Sequence, residues 1–444
     1  MNGRPGHPIP RRRWGIAVLL GVSVLFNYFD RLALSVAGPS LRQELHLDAL
    51  TLGVLFSAFS WSYAALQIPS GMILDRFGVT RVGRIGIMLW GVASAITALS
   101  GGYGGILLAR LLLGAAEAPS FPLNSKAVGH WFPRAERSTA TAMFDGMAKF
   151  SQVVGVPLVA VALVWFGWRG AFWMTAGLSF LFLIVFWICY RDPSEDAHLS
   201  PVEHDYILAG GAVPEGRADG GTAQMLGYIL TRRKVWGLTL GFACYGYSNS
   251  LFASWLPTYF VQTMNVSLLK SASFTMLPWF IATVAQFVIA GWLVDRLVQR
   301  GHDETLVRKS TIIACLLGGL AILGAAFTRE VFWVLFWMTI SVSALTSASS
   351  IGWSFPSLVA PRGASGIVGA VMNTVNAAVG SISAIVTGAI VDATGSFAVA
   401  FVVAAAVLLA GVCFYGLLMG RIEPVPDLPG RGAALPATGV RLVE

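Results

Sequence analysis

Six charged side chains sit where a chain this apolar should carry none. Asp30 and Arg31, Arg110 and Glu117, and Asp145 and Lys149 each fall inside a long hydrophobic run. A charge at the middle of a membrane helix costs about 2.5–3.5 kcal/mol on insertion scales, so such groups face a partner or a watery cavity and mark the path of a solute or ion. The chemistry they offer is divided by type. A carboxyl in low dielectric gains or loses a proton according to which partner faces it, whereas a guanidinium stays charged and can hold an anion. Arg110 and Glu117 are seven residues apart, two turns on one helical face and roughly 10 Å apart along the axis, so they can line one cavity at two depths. Asp145 and Lys149 are four apart and can neutralise each other. The competing reading is that all six are interhelical ion pairs that only hold a bundle together.

No other catalytic set competes with these charges. The six histidines fall in polar connections, and the four cysteines, Cys189, Cys244, Cys315 and Cys413, each occupy a different apolar run. That leaves no metal-ligand spacing and no nucleophile beside a base, so neither a metal, a cofactor nor an enzyme is expected.

The elements that must position the charges follow from hydropathy. The chain has 444 residues, 56% hydrophobic and 12% charged. That charged share is about half of what a soluble domain carries, which makes lipid the solvent for most of the chain. A helix needs about 20 apolar residues to cross the hydrocarbon. Twelve such runs can be marked, near 14–37, 51–73, 82–100, 104–123, 138–166, 169–190, 235–261, 271–294, 310–327, 331–351, 366–391 and 397–418. The expected fold is therefore an all-α membrane protein of twelve transmembrane helices in two six-helix bundles. Its divisions are an N-terminal segment 1–13, a first bundle 14–190, a linker 191–234, a second bundle 235–419 and a disordered tail 420–444. Within the linker, Ser200, Pro201 and Glu203 form a helix-start pattern in which the Ser and the Glu cap one another.

Sidedness is written in the basic residues. Arg31, Arg110 and Lys149 lie within runs, and only Arg42, Arg169, Lys270 and Arg329 fall in the connections of one side; the remaining Lys and Arg gather on the other. Positive residues stay with the cytoplasm, so both termini are expected inside. The net charge of +8 then needs no nucleic-acid partner.

Gly71-Met72-Ile73-Leu74-Asp75-Arg76-Phe77-Gly78, followed by Arg81 and Arg84, closes the second run, and Gly291, Asp295 and Arg296 close the eighth with the same spacing. Small glycines let helices approach, Asp75 can receive a cation or a helix N-terminus, and the echo suits a carrier of two related halves. Here the chain resembles the major facilitator superfamily, whose loop between helices two and three has this form. Further motifs are similar to the anion:cation symporter branch. These are Asn27-Tyr28-Phe29-Asp30-Arg31 with Leu34-Ser35, Phe59-Ser60-Trp61-Ser62-Tyr63 with Gln67 and Pro69, and Arg110 with Gly114, Glu117, Ala118 and Pro119. Trp131-Phe132-Pro133 with Glu136-Arg137, Trp255-Leu256-Pro257-Thr258-Tyr259, and Asn373 with Asn376 complete the set.

That resemblance implies proton-coupled symport of a small organic carboxylate in a bacterial inner membrane, by alternating access and as a monomer. It places proton uptake on Asp30 and Glu117, anion binding on Arg31 and Arg110, and substrate hydrogen bonds on Tyr28, Tyr63 and Asn376. Gly71, Asp75, Arg76, Gly78 and Arg81 would gate the path. Sugar-acid carriers of the branch tend to have an amide in mid-helix five; Ala148 stands there, flanked by Asp145 and Lys149. The extra cation, Lys149, suits a second carboxylate, and Phe150, Tyr245 and Trp255 suit an aromatic ring, so dicarboxylates and phthalate-like acids compete with galactonate, glucarate and hexuronates. An exporter of drugs or metabolites would use the same helices with the opposite coupling, and a non-transporting sensor would need an added signalling domain.

Overall fold

A computed structural model describes residues 10–133, 136–212, 222–328, 330–361 and 364–427. Helix dominates the described residues. The crossings of the first half are α1 (Arg12–Glu44), α2 (49–77), α3 (79–99), α4 (Tyr103–Trp131), α5 (137–166) and α6 (168–189). The linker contributes two short helices, α7 (Pro201–Ala209) and α8 (Thr222–Leu230). The second half is α9 (Arg233–Gln262), α10 (Leu268–Ala290), α11 (Glu304–Ala326), α12 (Val331–Val359), α13 (Ser365–Thr394) and α14 (Ala398–Leu418). Twelve crossings in two groups of six are thus the architecture that the hydrophobic runs predict.

Two glycines make the tightest reversals. Gly78 (φ 78°) separates α2 from α3 and Gly167 (φ 68°) separates α5 from α6; at these left-handed angles a Cβ would be strained. The return of the chain is fixed by side chains from distant helices: Trp168 donates to Glu44 at one end, and Trp131 donates to the carbonyl of Arg191 at the other.

The two halves are joined chiefly at one end. At the end away from the chain termini, one continuous hydrophobic cluster takes in Leu34, Leu41, Leu52 and Phe56 of the first half together with Leu251, Trp255, Tyr259 and Phe397 of the second. Helix α2 lies so close to α13 there that a Cβ on Gly53 would meet the carbonyl of Ala384, and one on Gly388 the carbonyl of Ala49. Phe56 meets Trp255 edge-on at 5.2 Å. Polar links cross the same seam: Ser35 donates to the carbonyls of Ala253 and Ser254, Arg42 donates to Gln262, and the N–H groups of Ala49 and Leu50 both donate to Asp392. Near the termini, a second cluster draws its buried residues from the first half and the linker, and Ala377 alone of the second half is packed against it.

The linker differs from expectation in one contact. Ser200 does cap α7 by accepting from the N–H of Glu203, but Glu203 does not cap in return. Its fully buried carboxylate accepts from the backbone N–H groups of Arg12 and Arg13 and from the Arg13 guanidinium at 2.9 Å. Charge-assisted bonds from arginine outcompete one neutral backbone N–H. Arg13 also reaches Glu136 at 2.7 Å, Arg12 reaches Asp196 at 2.9 Å, and the Arg13 cation lies 4.9 Å from the Tyr206 ring. The first turn of α1 is thereby tied to the linker and to the start of α5.

Two other expectations need correction. His130 lies in the last turn of α4 and is buried, not in a polar connection. The tail begins ordered: Val425 is buried and bonds to the carbonyl of Val359, and Tyr228 donates to Pro426. Residues 428–444, to which the expectation of disorder extends, lie outside the described residues, as do 1–9 and 213–221.

Candidate functional site

The charged residues of the first half converge within it, on α1 and α4. A Cβ on Gly114 would strike the carbonyl of Phe59 and the hydroxyl of Ser62, so only glycine lets α4 approach α2 closely enough to bring Arg110 and Glu117 against α1. The Arg31 guanidinium donates through Nε to Oε2 of Glu117 at 2.7 Å. Arg110 donates to the backbone carbonyl of Asp30 at 3.3 Å. Asp30 turns the other way, accepting from the hydroxyls of Ser94 on α3 at 2.6 Å and Ser179 on α6 at 3.0 Å.

Their exposures set them apart. Glu117 is 0%, Asp30 1% and Arg110 4% exposed, whereas the Arg31 side chain keeps 19%. Arg31 is therefore the member of the group that meets the interior, with the other three behind it. Aromatic rings define its position: its cation lies 4.7 Å from Tyr28, 4.7 Å from Phe59 and 5.0 Å from Tyr63. Phe59 stacks on Tyr63 at 5.4 Å and lies 5.3 Å from the Arg110 cation as well. A desolvated cation over an aromatic face gains about 2 kcal/mol, so three rings hold Arg31 without neutralising it. Three polar atoms of these residues are left over. Arg31 Nη2, Arg110 Nε and Glu117 Oε1 are buried with no hydrogen-bond partner, and an unmet buried polar atom costs about 1–3 kcal/mol.

The other expected residues are more dispersed. Asn376, on α13 of the second half, has a buried Oδ1 without a partner and stands where a Cβ on Gly246 would collide with it. Its neighbour Asn373 donates to Gln67 across the two halves at 3.3 Å. Lys149 pairs with Asp145 at 2.6 Å, as their spacing suggests, the Asp145 side chain remaining 42% exposed. Trp255 is fully buried in the seam and donates to the carbonyl of Ala384, so it packs and does not line the site.

Of the gating segment, Gly71 does not make the expected close helix approach: a Cβ there would meet nothing within 4 Å. Arg76 lies 5.3 Å over Phe77, and Arg81 is exposed. The Asp75 side chain is outside the described residues, as are those of Gly291 and Asp295.

Sequence reasoning missed the partners of Asp30, because lone serines in apolar runs are common and give no signal. It also missed that Phe59 serves both arginines, and it missed the Asp392 contact with the start of α2.

Comparison with known proteins agrees with the fold. The chain belongs to the Major Facilitator Superfamily, which it matches over residues 20–384; it is a multi-pass membrane transporter and not an enzyme. It is 38% identical over 423 residues to the uncharacterized transporter YybO of Bacillus subtilis, covering 95% of this chain and 96% of that protein. It is 32% identical to the probable galactarate/D-glucarate transporter GudP of the same organism, covering 93% of each. Among solved structures, a bacterial homolog of the human lysosomal transporter Spinster, in an inward-facing and occupied conformation, superposes with a TM-score of 0.73 at 15% identity, over 93% of this chain and 97% of that one.

Proposed function

We propose that this protein takes up a small organic carboxylate together with protons, by alternating access, across the cytoplasmic membrane of a bacterium with both termini inside. The observation that carries this reading is the Arg31–Glu117 pair. Arg31 keeps part of its side chain exposed, spends Nε on Glu117, and has a buried Nη2 without a partner. An incoming carboxylate and Glu117 compete for one guanidinium, and the competition ends when Glu117 takes a proton, for which Oε1 is the unoccupied oxygen. Substrate and proton then favour each other's binding, which is the thermodynamic content of coupling. Arg110, set against the Asp30 carbonyl, keeps a second positive charge behind the site. In this reading Tyr28, Tyr63 and Asn376 donate to the substrate.

Two further observations support the orientation and the substrate class. Arg42 and Arg169 lie at the sealed end, away from the termini, so the positive-inside rule puts the open end in the cytoplasm. The similarity to a protein named as a galactarate/D-glucarate transporter points to acids of the sugar-acid type. The test is uptake of labelled D-glucarate into proteoliposomes with an acidic exterior. Accumulation above the external concentration that is lost in Arg31→Ala supports the reading; accumulation only when the gradient is reversed would favour an exporter.

A further inference from the structure

We propose that Lys149 is a second anion-binding group of the transport site, guarded by Asp145, and that the pair selects substrates with two anionic ends. The inference rests on the reading of the protein as a carboxylate carrier and names the substrate class of that site.

The placement comes from the register of α1 against α5. A Cβ on Gly21 would meet Met143 and Met147, and one on Gly155 would meet Phe29 and Leu32, so the two helices run parallel and Lys149 stands level with about residue 25. Arg31 lies some six residues further along, roughly 9 Å at about 1.5 Å per residue. The two cations thus stand at two depths, at a separation that suits a short diacid held at both ends. A row of rings links the two elements: Tyr28 beside Arg31, then Phe121 at 6.4 Å, then Phe144 at 6.0 Å, adjacent in sequence to Asp145.

The two partners of the pair differ in exposure. The Asp145 side chain is 42% exposed against 16% for Lys149, so it can turn into water while Lys149 stays in place. A monoacid on Arg31 leaves the Lys149–Asp145 bond intact. A diacid offers Lys149 a replacement carboxylate at the right depth, and Asp145 is exchanged for it without leaving the cation unpaired, the outcome that makes broken buried pairs costly. Asp145 therefore acts as an internal competitor that only a second anionic end displaces.

The experiment compares acids matched except for one terminal carboxylate, D-glucarate with D-gluconate and phthalate with benzoate, by thermal-shift titration of the purified full-length protein. The expected result is a preference for the diacid of at least tenfold in one pair or both. Lys149→Gln should reduce that preference at least tenfold, and Lys149→Arg should restore most of it. Asp145→Asn, which removes the competitor and keeps the shape, should tighten diacid binding several-fold. Equal binding of mono- and diacids, or a preference unmoved by both Lys149→Gln and Asp145→Asn, overturns the proposal while the carrier reading stands. Failure of all four acids to bind, with Arg31→Ala indistinguishable from the parent, overturns both.

Discussion

Replacing Glu117 by Gln isolates the competition on which coupling depends. The Arg31 guanidinium is held by a carboxylate that is fully buried, at 2.7 Å. A hydrogen bond to a charged group contributes about 1.5–3 kcal/mol and a neutral one about 0.5–1.5 kcal/mol. Substituting an amide therefore weakens the internal competitor by about 1–1.5 kcal/mol, which is close to a tenfold gain in affinity for an external carboxylate. The sign with pH follows from the same exchange. In the parent protein, raising the pH ionises Glu117, which then keeps Arg31, so substrate affinity falls; in Glu117→Gln it should stay flat. Isothermal titration with the preferred acid at several pH values reads both effects. The same variant in proteoliposomes should still exchange labelled for unlabelled substrate but should no longer accumulate it. Weaker binding than the parent, or a pH dependence that persists unchanged, would refute the competition.

Other consequences are local. Asp392 of α13 accepts from the N–H groups of Ala49 and Leu50 at the start of α2 and lies 3.7 Å from Arg42, so Asp392→Asn should cost the sealed end about 1–2 kcal/mol. That is a five- to thirty-fold shift toward the opposite conformation, visible as a longer distance component between spin labels at Gln43→Cys and Lys270→Cys. An unchanged distribution would show that the apolar seam holds that end alone. In the linker clamp, the Arg13 guanidinium holds the Glu136 carboxyl below the usual carboxylate range. A depressed carboxylate stabilises the fold above its unfolded value, about pH 4.3, and loses that contribution as pH falls through the folded value. The difference in melting temperature between the parent and Glu136→Gln should accordingly be constant above about pH 5 and shrink below pH 4.

Much of this arrangement was legible before any coordinates. Twelve crossings follow from runs of apolar residues because lipid forces every backbone group into helical bonds, and the six intramembrane charges announce themselves by their cost. What a linear pattern does not carry is direction. Asp30 and Arg31 are adjacent, yet one points to Ser94 and Ser179 and the other to Glu117, because successive residues on a helix are turned about 100° apart. The reciprocal cap expected of Glu203 was displaced by arginines from α1 that are remote in sequence. That Gly71 has no neighbour within 4 Å of a Cβ is a matter of how the helices pack and not of the residue type.

The most direct test of proton-coupled uptake is the proton itself. Lightly buffered proteoliposomes holding the purified protein are given glucarate or phthalate from outside, with no gradient imposed, while the external pH is followed. The account predicts that the medium turns alkaline as substrate enters, and that the signal disappears in Glu117→Gln. Entry of substrate with no change in external pH, or with acidification, would contradict it.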